Sequence, residues 1–192
     1  MTFKLIQDIK NQIAATMPDN TTGQITPAIL RATLLDMCDS LFARAATLYG
    51  SLGGGVAQSI TTTPVNYPVL MPNSINNNPT LLTVNSITGT IVPSVGGFGM
   101  TLGYNVVWQS GTNNVELDAA VFRNGVRYAR ATLGQNGATQ NKQNTGGFNI
   151  LVAGVVADDV FEVRLSSPQG PTSITFYSMD FTVAINPTLT SL

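Results

Sequence analysis

The stretch Val115-Glu116-Leu117-Asp118-Ala119-Ala120-Val121-Phe122-Arg123-Asn124-Gly125-Val126 decides the fold class of this 192-residue chain. Apolar side chains occupy every second position from 115 to 121, between Glu116, Asp118 and Ala120. A period of two predicts a strand with one buried face and one solvated face. Asn-Gly at 124–125 is the dipeptide that favours a two-residue hairpin turn. The stretch therefore predicts a strand over 115–123 that turns back into a strand over 126–133.

Alternating patterns of the same kind fill the chain from about residue 81 onward. No helical pattern lies between them, which predicts an antiparallel jelly-roll β-sandwich, with a Greek-key monomer or dimer as the alternative. The predicted strands are 81–92, 100–109, 115–123, 126–133, 147–153, 160–166 and 173–185.

The hairpin at Asn124-Gly125, the Gly/Asn-rich loop 134–147 and the long final strand together resemble the C-terminal half of a TNF-like or C1q-like domain. The resemblance is one of strand pattern. It implies a homotrimer with aromatic and aliphatic side chains along the shared axis. It also implies that part of the apolar face of Tyr177–Ile185 is a trimer interface.

The first fifty residues carry two apolar stripes with helical spacing. In 3–17 the stripe recurs every three to four residues, and a second stripe runs through about 27–49. Between them, Pro18 to Pro27 combines a helix-stopping proline, turn residues and a Thr-Pro start signal for the second helix. Gly50 marks a natural C-terminal stop. These features predict a short N-terminal helical pair over 1–50.

The segment from Pro18 to Arg31 resembles the N-terminal segments of tailed-bacteriophage tail-fibre, tailspike and related virion proteins. The resemblance rests on the sequence Pro-Asp-Asn-Thr-Thr-Gly-Gln-Ile-Thr-Pro. The resemblance covers roughly the first fifty residues. It implies a virion component in which residues 1–50 serve as an anchoring or oligomerisation module.

Residues 51–80 are rich in Gly, Pro and Asn, and we predict a linker or stem there, ahead of a jelly-roll domain over 81–192. The glycines at 53–55 favour a flexible hinge. Four prolines between residues 64 and 79 disfavour helix and central strands and leave room for one short edge strand near Tyr67–Met71.

Charge is scarce, and its scarcity excludes several function classes. Charged residues are 10 % of the chain, the formal net charge is −1, and none lies between Arg44 and Glu116. A nucleic-acid binder needs clustered cations, so no nucleic-acid partner is predicted. No apolar run is long enough to insert in a membrane. Cys38 stands alone, and we expect a buried free thiol rather than a disulfide.

The residue types required for most catalytic chemistry are missing. The chain has no histidine, which removes the usual general base and metal ligand. Four carboxylates remain as candidates for a glycosidase-like pair: Glu116, Asp118, Glu162 and Asp180. Glu116 and Asp118 lie two positions apart and alternate with apolar residues, which predicts solvated side chains. We therefore predict no enzyme activity, no catalytic residue and no cofactor.

Metal and sugar binding are weaker candidates. Asp158-Asp159 offers oxygen ligands for calcium but is typical of a turn, so no metal site is predicted. Loops 109–114 and 134–147, with Trp108 or Tyr128 nearby, carry groups that recognise sugars, although such loops also join strands in any sandwich. No ligand-binding residue is assigned.

These observations predict a homotrimeric short tail fibre or spike for host-surface attachment, with other virion proteins and a bacterial surface polysaccharide as partners. The alternative is a capsid decoration protein or head fibre, which the small size favours. Either would assemble in the bacterial cytoplasm and reside in the virion.

Overall fold

The computed structural model describes residues 45–77, 79, 81–134 and 141–186, together with the single positions 11, 15, 29 and 30. Within the described ranges the chain forms ten strands and one 3₁₀ turn, Pro68–Leu70. The strands are β1 Ala45–Ile60, β2 Asn73–Asn76, β3 Leu82–Asn85, β4 Thr90–Pro93, β5 Phe98–Ser110, β6 Leu117–Arg123, β7 Val126–Gly134, β8 Gln143–Val155, β9 Phe161–Ser166 and β10 Thr172–Asn186.

The strands form two five-stranded antiparallel sheets. Sheet A has the order β2-β1-β10-β5-β8, and sheet B has the order β3-β4-β9-β6-β7. From β4 onward the chain crosses from one sheet to the other at every connection except the β6–β7 hairpin, which is jelly-roll connectivity. The predicted mainly-β, two-sheet antiparallel architecture is confirmed.

The hairpin that decides the fold is present as predicted. Arg123 pairs with Val126, and Asn124 and Gly125 both have positive φ, at 54° and 75°. Two successive positive φ values are the requirement of a type I′ turn, whose twist matches that of the flanking strands. The other strands predicted after residue 100 are also confirmed, and the region 81–92 forms a β3–β4 hairpin instead of one strand.

The core lies between the two sheets and is built from large side chains. Its biggest members are wholly inaccessible to solvent: Trp108, Tyr104, Phe98, Phe161, Phe176 and Phe181. Three of them, Phe98, Tyr104 and Trp108, come from β5. Burial of this much apolar area is the main term that stabilises the fold.

The predicted interface in the final strand is wrong in its placement. Met179, Phe181 and Val183 are wholly buried within this one chain, so their alternating face belongs to the intrachain core. The register shifts between Phe176 and Ser178, and Tyr177 occupies the bulge. Because of that extra residue Phe176 points inward, as Met179 does, whereas Tyr177, predicted on the apolar face, is only half-buried.

The second predicted helix is also wrong at its end. Residues 45–49 are strand, paired with β10 and β2, and Gly50 lies under the Leu70 carbonyl instead of closing a helix. Leu48 fits the apolar periodicity of a helix and of a strand. It forms a strand because it pairs with β10 on one side and with β2 on the other. The helical pair is not supported, and most of residues 1–44 lie outside the described residues.

The sandwich begins at Ala45, so the predicted linker at 51–80 needs correction. The Gly53–Gly55 run, predicted as a hinge, forms a bulge in β1 between Ser51 and Val56, where the register shifts. The edge strand predicted near Tyr67–Met71 is instead the 3₁₀ turn, and the true edge strand is β2. Leu70 and Met71 are wholly buried, so this segment packs on its own sandwich.

Candidate interaction surface

The two ends of the sandwich are distinct. Ala45 lies in register with Ala184 and, through it, with Thr101 on β5, so the chain upstream of β1 enters at one end. At the opposite end, Ile60 pairs with Thr172, Ser110 with Ile174 and Gln109 with Gln143, so β5 ends there and β8 and β10 begin there. Two described loops lie at that end and carry no charge: 111–114 is Gly-Thr-Asn-Asn, and 167–171 is Ser-Pro-Gln-Gly-Pro.

Charge is segregated between the sheets. Asp180 is the single Asp, Glu, Lys or Arg in the five strands of sheet A as the structure defines them. The strands of sheet B hold all the others: Asp118, Arg123, Arg127, Arg130, Glu162 and Arg164. A solvated sheet face is normally covered by charged side chains, whereas the centres of protein–protein interfaces are depleted of them. Sheet A therefore has the composition of a contact surface.

Two glycines flatten the outer face of sheet A. Gly103 pairs with Asn149, and Gly147 pairs with Asn105, so each asparagine has a glycine as its cross-strand neighbour. A Cβ at Gly103 would lie 2.7 Å from Asn149 Oδ1, which shows that the asparagine lies across the glycine backbone. A shallow groove of about 550 Å³ lies on this face, and Asn105, Gly147, Asn149 and Asp180 are among the residues that line it.

Asp180 is one of the residues that line this groove, on the central strand of sheet A. It is half-buried, and within the described part of the chain no hydrogen bond to its carboxylate is formed. Burial raises the pKa of the Asp180 carboxyl above its ordinary value. The pKa of Tyr104, wholly buried beneath, is raised by desolvation and then by the nearby Asp180 charge. The face thus holds one carboxylate that would lose further hydration if a partner covered it.

The strand β8 forms one edge of sheet A, next to β7 of the other sheet. Its thirteen residues contain no charge and no proline, and Leu151 is 52 % exposed. Natural edge strands are normally blunted by lysine, proline or a short length, because open backbone groups invite pairing. The bare edge of β8 adjoins the charge-poor face, and the two surfaces together make the candidate interaction surface.

The four candidate carboxylates are not brought together in a cleft. Glu162 is taken up by Arg164, whose Nε donates at 2.9 Å, and by Asn66, whose Nδ2 donates at 2.9 Å. Asp180 lies on the other sheet and faces the opposite side of the sandwich. Glu116, half-buried, precedes β6, where its backbone N–H donates to Gln169.

Asp118 was predicted to be solvated, and that prediction is wrong. Its exposure is 2 %, and the segment after β1, which pairs with the end of β9 through Val65 and Leu165, lies close to it. Thr62 and Pro64 of that segment close a cavity of about 150 Å³ over Asp118, together with Arg127 and Ser166. The strand pattern gives no sign of this cover, since the covering residues are more than fifty positions away in sequence.

The Asp158-Asp159 turn holds the chain together rather than offering a cation site. Arg123 Nη2 donates to Asp159 at 2.6 Å, Asn124 Nδ2 at 2.8 Å and the Val156 N–H at 2.8 Å. Burial alone raises the pKa of Asp159, but these hydrogen bonds outweigh it and lower the pKa below its ordinary value. In the described ranges no cluster of three acidic, His or Cys side chains is assembled.

The two aromatic residues considered for sugar stacking differ in solvent exposure. Trp108 is wholly buried in the core and cannot reach a ligand in loop 109–114. Tyr128 on β7 is 43 % exposed. Cys38 and the middle of loop 134–147 lie outside the described residues. The described part of the chain contains no helix long and apolar enough to span a membrane.

The fold and its surface define a two-sheet jelly-roll protein with one charge-poor sheet. No family model matches the chain, and no curated protein sequence matches it. Among solved structures, Eiger TNF from S. frugiperda is similar over 75 % of this chain and 92 % of its own, at 14 % identity and a TM-score of 0.45.

Two viral structures are similar at the same level. The VP2 subviral particle of infectious bursal disease virus matches 78 % of this chain at 15 % identity, with a TM-score of 0.46. The Gt strain structure of that virus matches 79 % at 15 % identity, with a TM-score of 0.43. This chain spans 34 % of each viral chain. All three likenesses concern the fold alone.

Proposed function

We propose that this chain is a non-enzymatic structural protein of a tailed-bacteriophage virion, a homotrimeric short tail fibre or spike that attaches to the host surface. The observation that carries the proposal is the opposition of the two ends of the sandwich. The segment that resembles phage anchoring sequences enters at the Ala45 end, and the polar loops lie at the other. A protein held by its upstream segment would present those loops outward, toward a surface polysaccharide.

Self-association through sheet A is the second part of the proposal. The bare β8 edge and the uncharged outer face are different surfaces of one sheet, so a contact between edge and face is heterologous. Heterologous contacts close into a ring when the rotation between neighbouring subunits divides a full turn evenly. A trimer is the smallest such ring larger than a dimer, and each chain in it uses each surface once. Burial of both surfaces accounts for their lack of charge.

A capsid decoration protein or head fibre is the second candidate, and one finding favours it. Residues 51–77 belong to the sandwich and leave no stem between the upstream segment and the domain. A compact domain on a short tether suits a shell ornament as well as a spike. The trimer and the outward loops are common to both candidates.

Purified virions of the phage that encodes the chain provide the test. Quantitative mass spectrometry gives copies per particle, and gold-labelled antibody against the sandwich gives its position. A few trimers on the tail support the fibre or spike, and many copies on the head support the decoration protein. Absence from purified particles would contradict both.

A further inference from the structure

The turn between β6 and β7 contains an asparagine that is open to chemical change. Asparagine is a labile residue, most of all before glycine, because the glycine backbone nitrogen can attack the side-chain amide with no Cβ to hinder its approach. Asn124 and Gly125 are both exposed, and a Cβ added at Gly125 would meet nothing within 4 Å. Neither burial nor crowding of the turn therefore opposes this reaction.

The reaction is a deamidation that needs water and no other reactant. The Gly125 nitrogen forms a bond to Asn124 Cγ, the bond from Cγ to Nδ2 breaks, and ammonia leaves with the proton of the Gly125 amide. Water then opens the succinimide ring at either of its carbonyl groups. One opening leaves aspartate, and the other leaves isoaspartate, in which the main chain runs through the side-chain carboxyl carbon.

The fold holds the Asn124 side chain against the β8–β9 connection. Asn124 Nδ2 donates to Asp159 Oδ1 at 2.8 Å, and Asn124 Oδ1 accepts from the Val160 N–H at 2.8 Å. The Asn124 N–H donates to the Val160 carbonyl at 2.9 Å. We call these three hydrogen bonds the Asn124 clamp. Because succinimide formation needs the amide carbon turned back onto the Gly125 nitrogen, both side-chain bonds of the clamp must break before the attack.

The carboxylate in the clamp is itself fixed in place. Asp159 is 2 % exposed, and its Oδ2 accepts from Arg123 Nη2 at 2.6 Å and from the Val156 N–H at 2.8 Å. A hydrogen bond to an ionised acceptor is shorter and stronger than one between neutral groups. The bond from Asn124 Nδ2 is therefore the strong member of the clamp, and it holds the amide nitrogen that would leave as ammonia.

Neither product fits the site that the asparagine occupies. Aspartate at position 124 would bring a second carboxylate to the place from which Nδ2 donates to Asp159 at 2.8 Å, and like charges at that distance disfavour each other. Isoaspartate would lengthen the main chain between Arg123 and Val126, which pair directly across the turn. The clamp therefore cannot re-form after the reaction.

We propose that Asn124 is a deamidation site that the clamp keeps unreactive in the native protein, and that reaction there prevents the β6–β7 hairpin from regaining its native contacts. Each opening of the hairpin then carries a risk of irreversible change, so the strength of the clamp limits how fast the folded protein ages. This inference depends on the turn and its hydrogen bonds alone, and it stands whether or not the protein belongs to a virion.

Peptide mass spectrometry on the full-length protein provides the test. The protein is kept at pH 8.5, either folded or in guanidinium chloride, and synthetic standards distinguish the aspartate and isoaspartate forms of the peptide that contains Asn124. We expect the folded protein to react at least tenfold more slowly than the denatured protein, since a hydrogen bond to a charged group is worth about that factor. Equal rates in the two states would overturn the proposal.

Two substitutions separate the clamp from other effects of charge. Asp159→Ala removes the acceptor and should raise the rate in native buffer at least fivefold, with circular dichroism to check that the variant retains the sandwich. Glu116→Ala removes a half-buried carboxylate that is not in the clamp and should leave the rate unchanged. The same rate in both variants would contradict the role of the clamp.

Asn124→Asp reproduces one product directly and needs no reaction. We expect it to lower the midpoint of thermal unfolding by about 3 °C or more, the shift that a loss of roughly 1 kcal/mol causes in a chain of this size. Asn114→Asp places the same charge at another exposed asparagine of positive φ and should leave the midpoint unchanged. An unchanged midpoint in Asn124→Asp would overturn the claim that the product does not fit.

Discussion

Tyr49 and Asp180 are direct cross-strand partners at the centre of sheet A, so the one charged group of that sheet lies beside an aromatic side chain in an otherwise neutral face. Asn105 flanks Asp180 on the other side. The carboxyl group is surrounded by neighbours that do not compensate its charge, which is why burial raises its pKa.

Self-association should strengthen as the pH falls. A folded-state pKa raised by burial means that the charged carboxylate is disfavoured, and a partner that covers Asp180 disfavours it further. Protonation removes this cost, so association is favoured below the raised pKa and weakens as the pH rises through it. We therefore expect stronger association at pH 4.5 than at pH 7.5. Sedimentation measures it.

Asp180→Asn is the control for that pH effect. The amide keeps the shape and cannot ionise, so the variant should associate at pH 7.5 as strongly as the wild type does at pH 4.5. A pH dependence that persists in Asp180→Asn would assign the effect to other groups.

A charge placed on the outer face of sheet A should break the assembly. Thr182 lies on β10 between Thr47 and Gly103, and Thr182→Arg puts a long cation over the flat centre of the face. Leaving that charge without a partner in an interface costs about 2–4 kcal/mol, which predicts at least tenfold weaker association. Light scattering on the variant measures the loss.

The matched substitution for that experiment is Thr83→Arg, which adds the same group at an exposed position of β3 in sheet B. We expect it to leave the oligomeric state unchanged. Equal weakening by both arginines would show that sheet A has no special role.

Loss of Asp159 should destabilise the fold. Its buried carboxylate joins the β6–β7 turn to the β8–β9 connection through Arg123, Asn124 and the Val156 N–H. Asp159→Ala leaves these donors without their acceptor, and we expect a loss of about 2–3 kcal/mol in the free energy of unfolding by urea denaturation. A loss under 0.5 kcal/mol would contradict this role, because exposed surface changes stay within about that value.

The same carboxylate predicts acid sensitivity. Its folded-state pKa is lowered from the ordinary 3.8, so its contribution is full above that value and is lost as the pH falls through the lower folded pKa. The stability difference between wild type and Asp159→Asn should therefore shrink below about pH 4, a value set by the ordinary carboxyl pKa.

The Asn124-Gly125 turn should be sensitive at its glycine. Gly125 has φ 75° and open space around its Cα, so an added methyl group meets no neighbour and the cost is conformational alone. Gly125→Ala should cost about 1 kcal/mol, as expected for an L-residue in the left-handed region. Gly111→Ala, also in open space and without positive φ, should be close to neutral in thermal unfolding.

The second half of the sandwich could be predicted from the sequence because apolar and polar residues alternate along its strands. The dipeptide Asn124-Gly125 also predicts a hairpin turn by itself. The sequence did not reveal β1, since Ala45 to Leu48 satisfies two periodicities and the choice depends on partners more than a hundred residues away in β10. The bulge at Tyr177 reverses the inward face for a similar reason: only the pairing with β5 determines where the extra residue falls.

Only part of the candidate interaction surface could be predicted from the sequence. The absence of charge from 45 to 115 was plain, but it became a surface only when β1, β5, β8 and β10 proved to be neighbours. Asp118 and Asp180 look alike as polar positions in alternating strands, and yet Asp118 is buried next to Thr62 and Pro64, whereas Asp180 lines an open groove. Such differences arise from tertiary contacts that no local pattern encodes.

The mass of the full-length protein in solution tests the central claim most directly. Sedimentation equilibrium at micromolar concentration and pH 6 should give three times the 20.3 kDa chain mass, and Thr182→Arg should shift it to the single-chain value. A wild-type protein that sediments as a monomer would contradict the claim that sheet A is a self-association surface, and so would a trimer that Thr182→Arg leaves intact.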